Sequence, residues 1–154
     1  MSKTPATDQN TDAGDLQCTH GPAADGVMDV RVTYRDTDQM GFVYYANYFV
    51  YFEMGRTELL RQLGRSYHEC EQNGIYLPVT EASCKYVESA RYDDMVEVRT
   101  RVTKWTRVAL DFAYECRRKA DGALLATGLT RHVFVNADGR IIRAGDRVLP
   151  EKSQ

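Results

Sequence analysis

Residues 34–48 read Tyr34-Arg35-Asp36-Thr37-Asp38-Gln39-Met40-Gly41-Phe42-Val43-Tyr44-Tyr45-Ala46-Asn47-Tyr48, and the periodicity of the chain changes within them. Upstream, Met28-Asp29-Val30-Arg31-Val32-Thr33-Tyr34 alternates apolar and polar residues strictly, the pattern of a strand with one buried face. Downstream, Tyr45, Tyr48, Phe49, Phe52, Leu59, Leu60 and Leu63 recur at helical spacing and mark one face of a long helix. Gly64, just past Leu63, predicts its C-terminal stop. Gly55 lies mid-helix, where it costs about 1 kcal/mol relative to Ala. A helix lying close against a sheet would tolerate that cost.

Beyond the helix the pattern turns to period two. Val96, Val98 and Val102 form one run, Val108, Leu110, Phe112, Tyr114 and Cys116 a second, and Leu124 to Val135 a third. Asp121-Gly122 and Asp138-Gly139 punctuate these runs as hairpin turns do. Pro78 precedes the segment Cys84–Glu88 and predicts a strand edge or bend there. The order is strand, long helix, then about four antiparallel strands, an α+β domain with the helix packed on one sheet. Ala109 and Ala113 alternate with Leu110 and Phe112, so both faces of that strand carry apolar residues. A second copy of the chain is expected to cover the outer one.

The chain has 154 residues, 43% of them hydrophobic and 27% charged, which fits one globular domain. Residues 1–27, rich in Thr, Asp, Gly, Ala and Pro, are expected to be a disordered tail. Residues 28–145 form the domain and 146–154 a C-terminal tail. A net charge of −2 carries no electrostatic footprint for nucleic acid. No apolar stretch is long enough to span a bilayer, and MSKTPATDQN lacks a secretory layout, so a cytoplasmic protein is expected. Cys18, Cys70, Cys84 and Cys116 form no CxxC pair and read as reduced, structural thiols. No metal site is expected.

Chemistry concentrates in residues 34–48. Asp36 and Asp38 lie in a loop that feeds a helix N-terminus, where unsatisfied N–H groups carry roughly half a positive charge. A carbonyl resting on those groups could be approached by a carboxylate acting as nucleophile or base. Asp residues also cap helices and close Asx turns, and a DxD pair can hold Mg²⁺ in phosphate-handling enzymes. No glycine-rich phosphate loop accompanies the pair. GxSxG is absent, and His20, His68 and His132 fall into no triad pattern.

The run from Tyr34 to Tyr48 resembles the signature Y-x-D-T-D-x-x-G-x-V-Y-Y-x-x-Y of the hotdog-fold acyl-CoA thioesterases. It is most similar to the 4-hydroxybenzoyl-CoA thioesterase and YbgC-like group. The likeness continues through Glu53-Met54-Gly55-Arg56-Thr57-Glu58 and Ala90-Arg91-Tyr92-Asp93-Asp94, covering roughly residues 28–143. The resemblance implies a hotdog fold, a curved five-stranded antiparallel sheet wrapped around one long helix. It also implies homodimers or tetramers joined edge to edge, with active sites between subunits.

Carried over residue by residue, the resemblance makes Asp38 the catalytic carboxylate, either nucleophile or general base. Tyr45 matches the position whose backbone N–H polarises the thioester carbonyl. Gly41 would allow close substrate approach, and Asp36 would fix the loop. Tyr44, with its neighbouring tyrosines, would line a short-chain or aromatic acyl pocket, while Tyr48 packs between helix and sheet. Glu53 and Arg56 are spaced to form a salt bridge. Lys104, Arg107 and Arg91 are candidates for the phosphates of coenzyme A, and Trp105 is expected to cover the sheet. The implied activity is hydrolysis of an acyl-CoA thioester to free acid and coenzyme A, needing no cofactor beyond coenzyme A as part of the substrate. The alternatives are a non-catalytic hotdog acyl-CoA-binding or assembly module and a Mg²⁺-dependent phosphoesterase.

Overall fold

The structure, a computed structural model, describes residues 24–148. Its strands are β1 (Asp25–Arg31), β2 (Val79–Tyr86), β3 (Met95–Trp105), β4 (Ala109–Arg118) and β5 (Leu124–Val133). Its helices are α1 (Asn47–Gln62), α2 (Tyr67–Gln72) and the single turn α3 (Gly145–Val148). The five strands form one antiparallel sheet in the order β1-β3-β4-β5-β2. The α+β architecture expected from the strand–helix–strands order is the one observed.

β1 begins at Asp25 rather than Met28, because Asp25, Gly26 and Val27 pair with Arg101, Thr100 and Arg99 of β3. Backbone pairing thus carries the strand past its last alternating residue, and the expected tail 1–27 loses its final residues to the sheet. At the other end α3 buries Gly145 and Val148, so the packed domain continues past residue 145. Residues 1–23 and 149–154, the remainder of both expected tails, lie outside the described residues. β1 also stops short of Tyr34. The Thr33 N–H and hydroxyl both turn to the Asp36 carboxylate, at 2.8 and 2.9 Å, and the chain enters a 3-10 turn at Tyr34–Asp36.

α1 buries Tyr48, Tyr51, Phe52, Gly55, Arg56, Leu59 and Leu60. Tyr45 lies before its first turn and is exposed, so it leaves the apolar face that its spacing predicts. At Gly55 helix and sheet approach closely. A Cβ there would stand 2.5 Å from Thr100 Oγ1 and 2.9 Å from Val98 Cγ1 of β3. The expected Glu53–Arg56 salt bridge is absent among the described residues. Glu53 points to solvent, whereas Arg56 is buried and donates from Nε to the Tyr67 hydroxyl at 3.3 Å. α2 was not anticipated, although Ser66-x-x-Glu69 is a capping box and closes as one: Glu69 N–H donates to Ser66 Oγ and Ser66 N–H to Glu69 Oε2.

The inner face of the sheet presents Val96, Val98, Val102, Leu110, Phe112, Tyr114, Cys116 and Leu125 to α1, all buried. Trp105 is buried and donates its indole N–H to Gly145 O at 3.1 Å, so it covers the end of the sheet as expected. β2 forms one edge and is exposed at all but Cys84. No helix among the described residues is long and apolar enough to cross a membrane.

Candidate active site

The Asp36–Tyr44 segment folds back on itself as a narrow hairpin. Thr37 bridges Val43, the Asp38 N–H donates to Phe42 O at 2.8 Å, and the Tyr44 N–H donates to Asp36 O at 2.8 Å. Gly41 makes the reversal with φ at +81°, a conformation that favours glycine. The turn itself therefore explains Gly41. Asp38 Oδ1 accepts the N–H groups of Met40 (2.9 Å) and Phe42 (3.2 Å), which fixes the carboxylate in an Asx-type turn. Its Oδ2 has no partner among the described residues. Asp36 is spent differently. Its Oδ2 holds Thr33, and its carbonyl accepts Asn47 Nδ2 at 2.8 Å, so it ties strand, loop and helix together. The buried Tyr51 phenol is pushed well above its ordinary range, chiefly by burial and then by the charge of Asp36.

The hairpin delivers the chain directly into α1. Ala46 stands at the N-cap of α1 and offers no side-chain cap, and the first turn holds no acidic residue. Among the described residues the backbone N–H groups of Tyr45 and Ala46 donate to nothing, whereas Tyr44 O accepts Asn47 N–H at 2.9 Å. A Glu or Gln at the third helical residue would satisfy the Ala46 N–H in a capping box, but Phe49 stands there. Aromatic rings surround this bare helix start. Tyr44 and Tyr45 lie 4.7 Å apart between centroids, Tyr45 and Tyr86 6.4 Å, and Tyr48 and Tyr86 5.4 Å. Tyr44, Tyr45 and Tyr86 are exposed, while Tyr48 is buried between helix and sheet, as expected.

Arg91 joins the site from the turn before β3. It bridges Phe42 in backbone pairing, and its guanidinium lies 4.6 Å from the Phe42 ring centroid. Lys104 and Arg107 do not join it within one chain. Lys104 lies near the far end of eleven-residue β3, roughly 30 Å along the strand from its start at ~3.3 Å per residue, and Arg107 in the turn beyond it. Both are exposed, and among the described residues Arg107 pairs only with equally exposed Asp146 at 3.5 Å. A groove of about 770 Å³ has no residue of the Asp38 loop in its lining. It crosses the outer face of all five strands past Val27, Lys85, Arg99, Ala113, Glu115 and Leu129. No three His, Cys, Asp or Glu side chains converge as a metal site among the described residues.

Two residues near the site escaped sequence reasoning. Arg118, 17% exposed, donates to Ser89 O and Asp121 Oδ2, both at 2.9 Å, and pairs with Asp94 and Glu88 at 3.4 Å. It thereby rigidifies the 88–94 turn, to which Val43 is bonded through Ala90 O at 2.9 Å. Tyr86, at the end of edge strand β2, donates its hydroxyl to Tyr45 O at 2.9 Å. Arg118's bond to Asp121 is local, but Glu88, Ser89 and Asp94, like the Tyr45 carbonyl that Tyr86 meets, lie too far away in sequence for any local signal.

Comparisons with known proteins converge on one group. Residues 32–152 match the family model of the thioesterase-like superfamily. YneP of Bacillus subtilis is 32% identical over 110 residues, which is 71% of this chain and 79% of its own. The Escherichia coli acyl-CoA thioester hydrolase YbgC is 37% identical over 83 residues, 54% of this chain and 62% of its own. Among solved structures, a DHNA-CoA thioesterase from Staphylococcus aureus superposes with a TM-score of 0.76 at 34% identity, covering 80% of this chain and 82% of that one.

Proposed function

The chain belongs to the thioesterase-like superfamily, and from that premise we propose that it hydrolyses an acyl-CoA thioester to the free acid and coenzyme A. One observation carries the reading: a helix start whose Tyr45 and Ala46 N–H groups are unused follows directly on a hairpin that holds Asp38 with one oxygen free. The thioester carbonyl oxygen would rest on the helix start, with Tyr45 N–H as its donor. As that oxygen gains negative charge, each such donor is worth ~2.7–4 kcal/mol of transition-state stabilisation. Asp38 supplies the other half by one of two routes. It attacks the carbonyl carbon, the C–S bond breaks, coenzyme A thiolate leaves, and water hydrolyses the acyl-aspartyl anhydride. Otherwise it takes a proton from water, the hydroxide adds to the carbonyl carbon, and the thiolate departs with a proton. Neither route calls for a metal or redox cofactor, because the thioester is already activated.

The exposed rings of Tyr44, Tyr45 and Tyr86, inclined at 53° and 88° to one another, offer a cluster of aromatic faces and edges beside the helix start. They suit an aromatic acyl group, or a short one, better than a long flexible chain. The similarity to a DHNA-CoA thioesterase supports the same preference. Arg91 beside the loop, and Lys104 and Arg107 contributed by another subunit, would meet the phosphates of coenzyme A. The proposal includes a cytoplasmic homodimer or tetramer, with the exposed edge of β2 and the outer face of the sheet available for contact.

Thiol release from a panel of short, long and aromatic acyl-CoAs tests this, with wild type and Asp38→Asn compared with and without EDTA. EDTA-insensitive release that depends on Asp38 and favours aromatic or short acyl groups is expected. Intact acyl-CoA retained on the protein would favour a binding module instead, and release abolished by EDTA would favour metal chemistry.

A further inference from the structure

The Tyr86 hydroxyl reaches across 41 residues of sequence to the carbonyl of Tyr45, at 2.9 Å. It is the long-range hydrogen bond that holds the carbonyl side of an otherwise uncapped helix start. A trans peptide is planar, so its C=O and N–H point in opposite directions. Pinning Tyr45 O therefore aims the Ala46 N–H. The preceding peptide is pinned locally, through Asn47 N–H on Tyr44 O at 2.9 Å, which aims the Tyr45 N–H. The two planes meet at the Tyr45 Cα, and each limits the other. Tyr45 O also accepts the first-turn Tyr48 N–H, at a long 3.4 Å, so the turn alone grips this carbonyl weakly.

We propose that Tyr86 is a positioning residue for the carbonyl-polarising helix start, an inference that rests on the thioesterase reading above. Its ring makes edge-to-face contacts with Tyr45 and Tyr48, and these hold the hydroxyl in place without using it. Although the ring is half exposed, partial burial and the neighbouring Cys84 thiol push the phenol up to about 12, so it keeps the proton it donates. β2 is an edge strand, so the same side chain links the rim of the sheet to the start of α1.

Tyr86→Phe keeps the ring and removes only the donor. The expected result is a fall in kcat of about tenfold, the size of one net hydrogen bond. KM should stay close to wild type, and the melting temperature should fall by no more than the few degrees that one net hydrogen bond is worth. Amide exchange, read residue by residue, should speed up at Asn47, Tyr48 and Phe49 and stay unchanged in the middle of α1. A purely structural role would lower the melting temperature without changing kcat in the remaining folded enzyme, and that pattern overturns the inference. So does unaltered exchange at 47–49, whether or not any thioester is turned over. A wild-type chain inert toward every acyl-CoA, yet with exchange sensitive to Tyr86, overturns the thioesterase reading and leaves Tyr86 only as a brace for the helix.

Discussion

Asp36 and Asp38 are two residues apart and chemically identical, yet the structure gives them opposite work. Asp36 spends its carboxylate on Thr33 and its carbonyl on Asn47, while Asp38 fixes one oxygen on two N–H groups and keeps the other free. Asp38→Asn can retain those two acceptor bonds through its amide oxygen, so the loop should survive. The amide is neither nucleophile nor base. Turnover should therefore drop by orders of magnitude while the melting temperature moves little. Asp36→Ala removes a cap-like acceptor and should cost about 1 kcal/mol of stability, with activity falling because the loop loosens. Paired kinetic and thermal measurements separate the two. An inert Asp36→Asn with unchanged melting temperature, beside an active Asp38→Asn, would reverse the assignment. The sequence alone marked this segment through its motif, because hairpin, turn glycine and helix start are all local. It was silent on the bonds of Arg118 to Ser89 and Asp94 and of Tyr86 to Tyr45, which are brought close only by the folded sheet.

At the scale of elements, the legible parts were those with clean periodicity: α1 and the inner faces of β3, β4 and β5. What periodicity missed was set by contacts between elements. Arg56 sits on the buried side of α1 not as part of a salt bridge but among phenols, with Tyr67 as a direct partner. The same layer holds His132, buried on β5, with Nε2 2.8 Å from Thr130 Oγ1. Burial first, and the Arg56 charge second, lower its pKa from 6.5 to about 4. The unfolded chain thus binds a proton between these values that the folded chain refuses. Stability contributed by neutral His132 is present above pH 6.5 and is lost as pH falls toward 4, by on the order of 3 kcal/mol. Urea titrations at pH 7 and 4.5, at fixed protein concentration, should show that loss in wild type and a much smaller one in His132→Gln. Equal losses would assign the acid sensitivity to other groups. Gly55 is the second such contact. Ala would gain about 1 kcal/mol of helix propensity there. Its Cβ would nevertheless collide with Thr100 and Val98, and overpacking costs typically ~1–3 kcal/mol. Gly55→Ala should therefore lower the denaturation midpoint, and a raised midpoint would show that helix and sheet can part cheaply.

For the whole molecule, one chain carries the Asp38 loop beside the turn that enters β3 and the basic pair Lys104 and Arg107 near the strand's other end. Nothing in the sequence reveals this separation, since strand order and strand direction, not spacing, decide which ends meet. If Lys104 and Arg107 bind the phosphates of a substrate whose thioester lies at Asp38, they serve a neighbouring subunit's site. Losing both to Ala should then raise KM for acyl-CoA with kcat nearly intact, and should leave turnover of the acyl-pantetheine fragment, which lacks the nucleotide, unchanged. Mixed oligomers supply the decisive arm. A chain with Asp38→Asn keeps its basic pair, and a chain with Lys104→Ala and Arg107→Ala keeps its carboxylate. Each homo-oligomer should be nearly inactive at low acyl-CoA concentration. Co-assembled, the first chain's basic residues face the second chain's Asp38 and rebuild an intact site, so activity should reappear above the sum of the two. If every site were completed within one chain, mixing would restore nothing and the basic pair would be assigned to surface solvation.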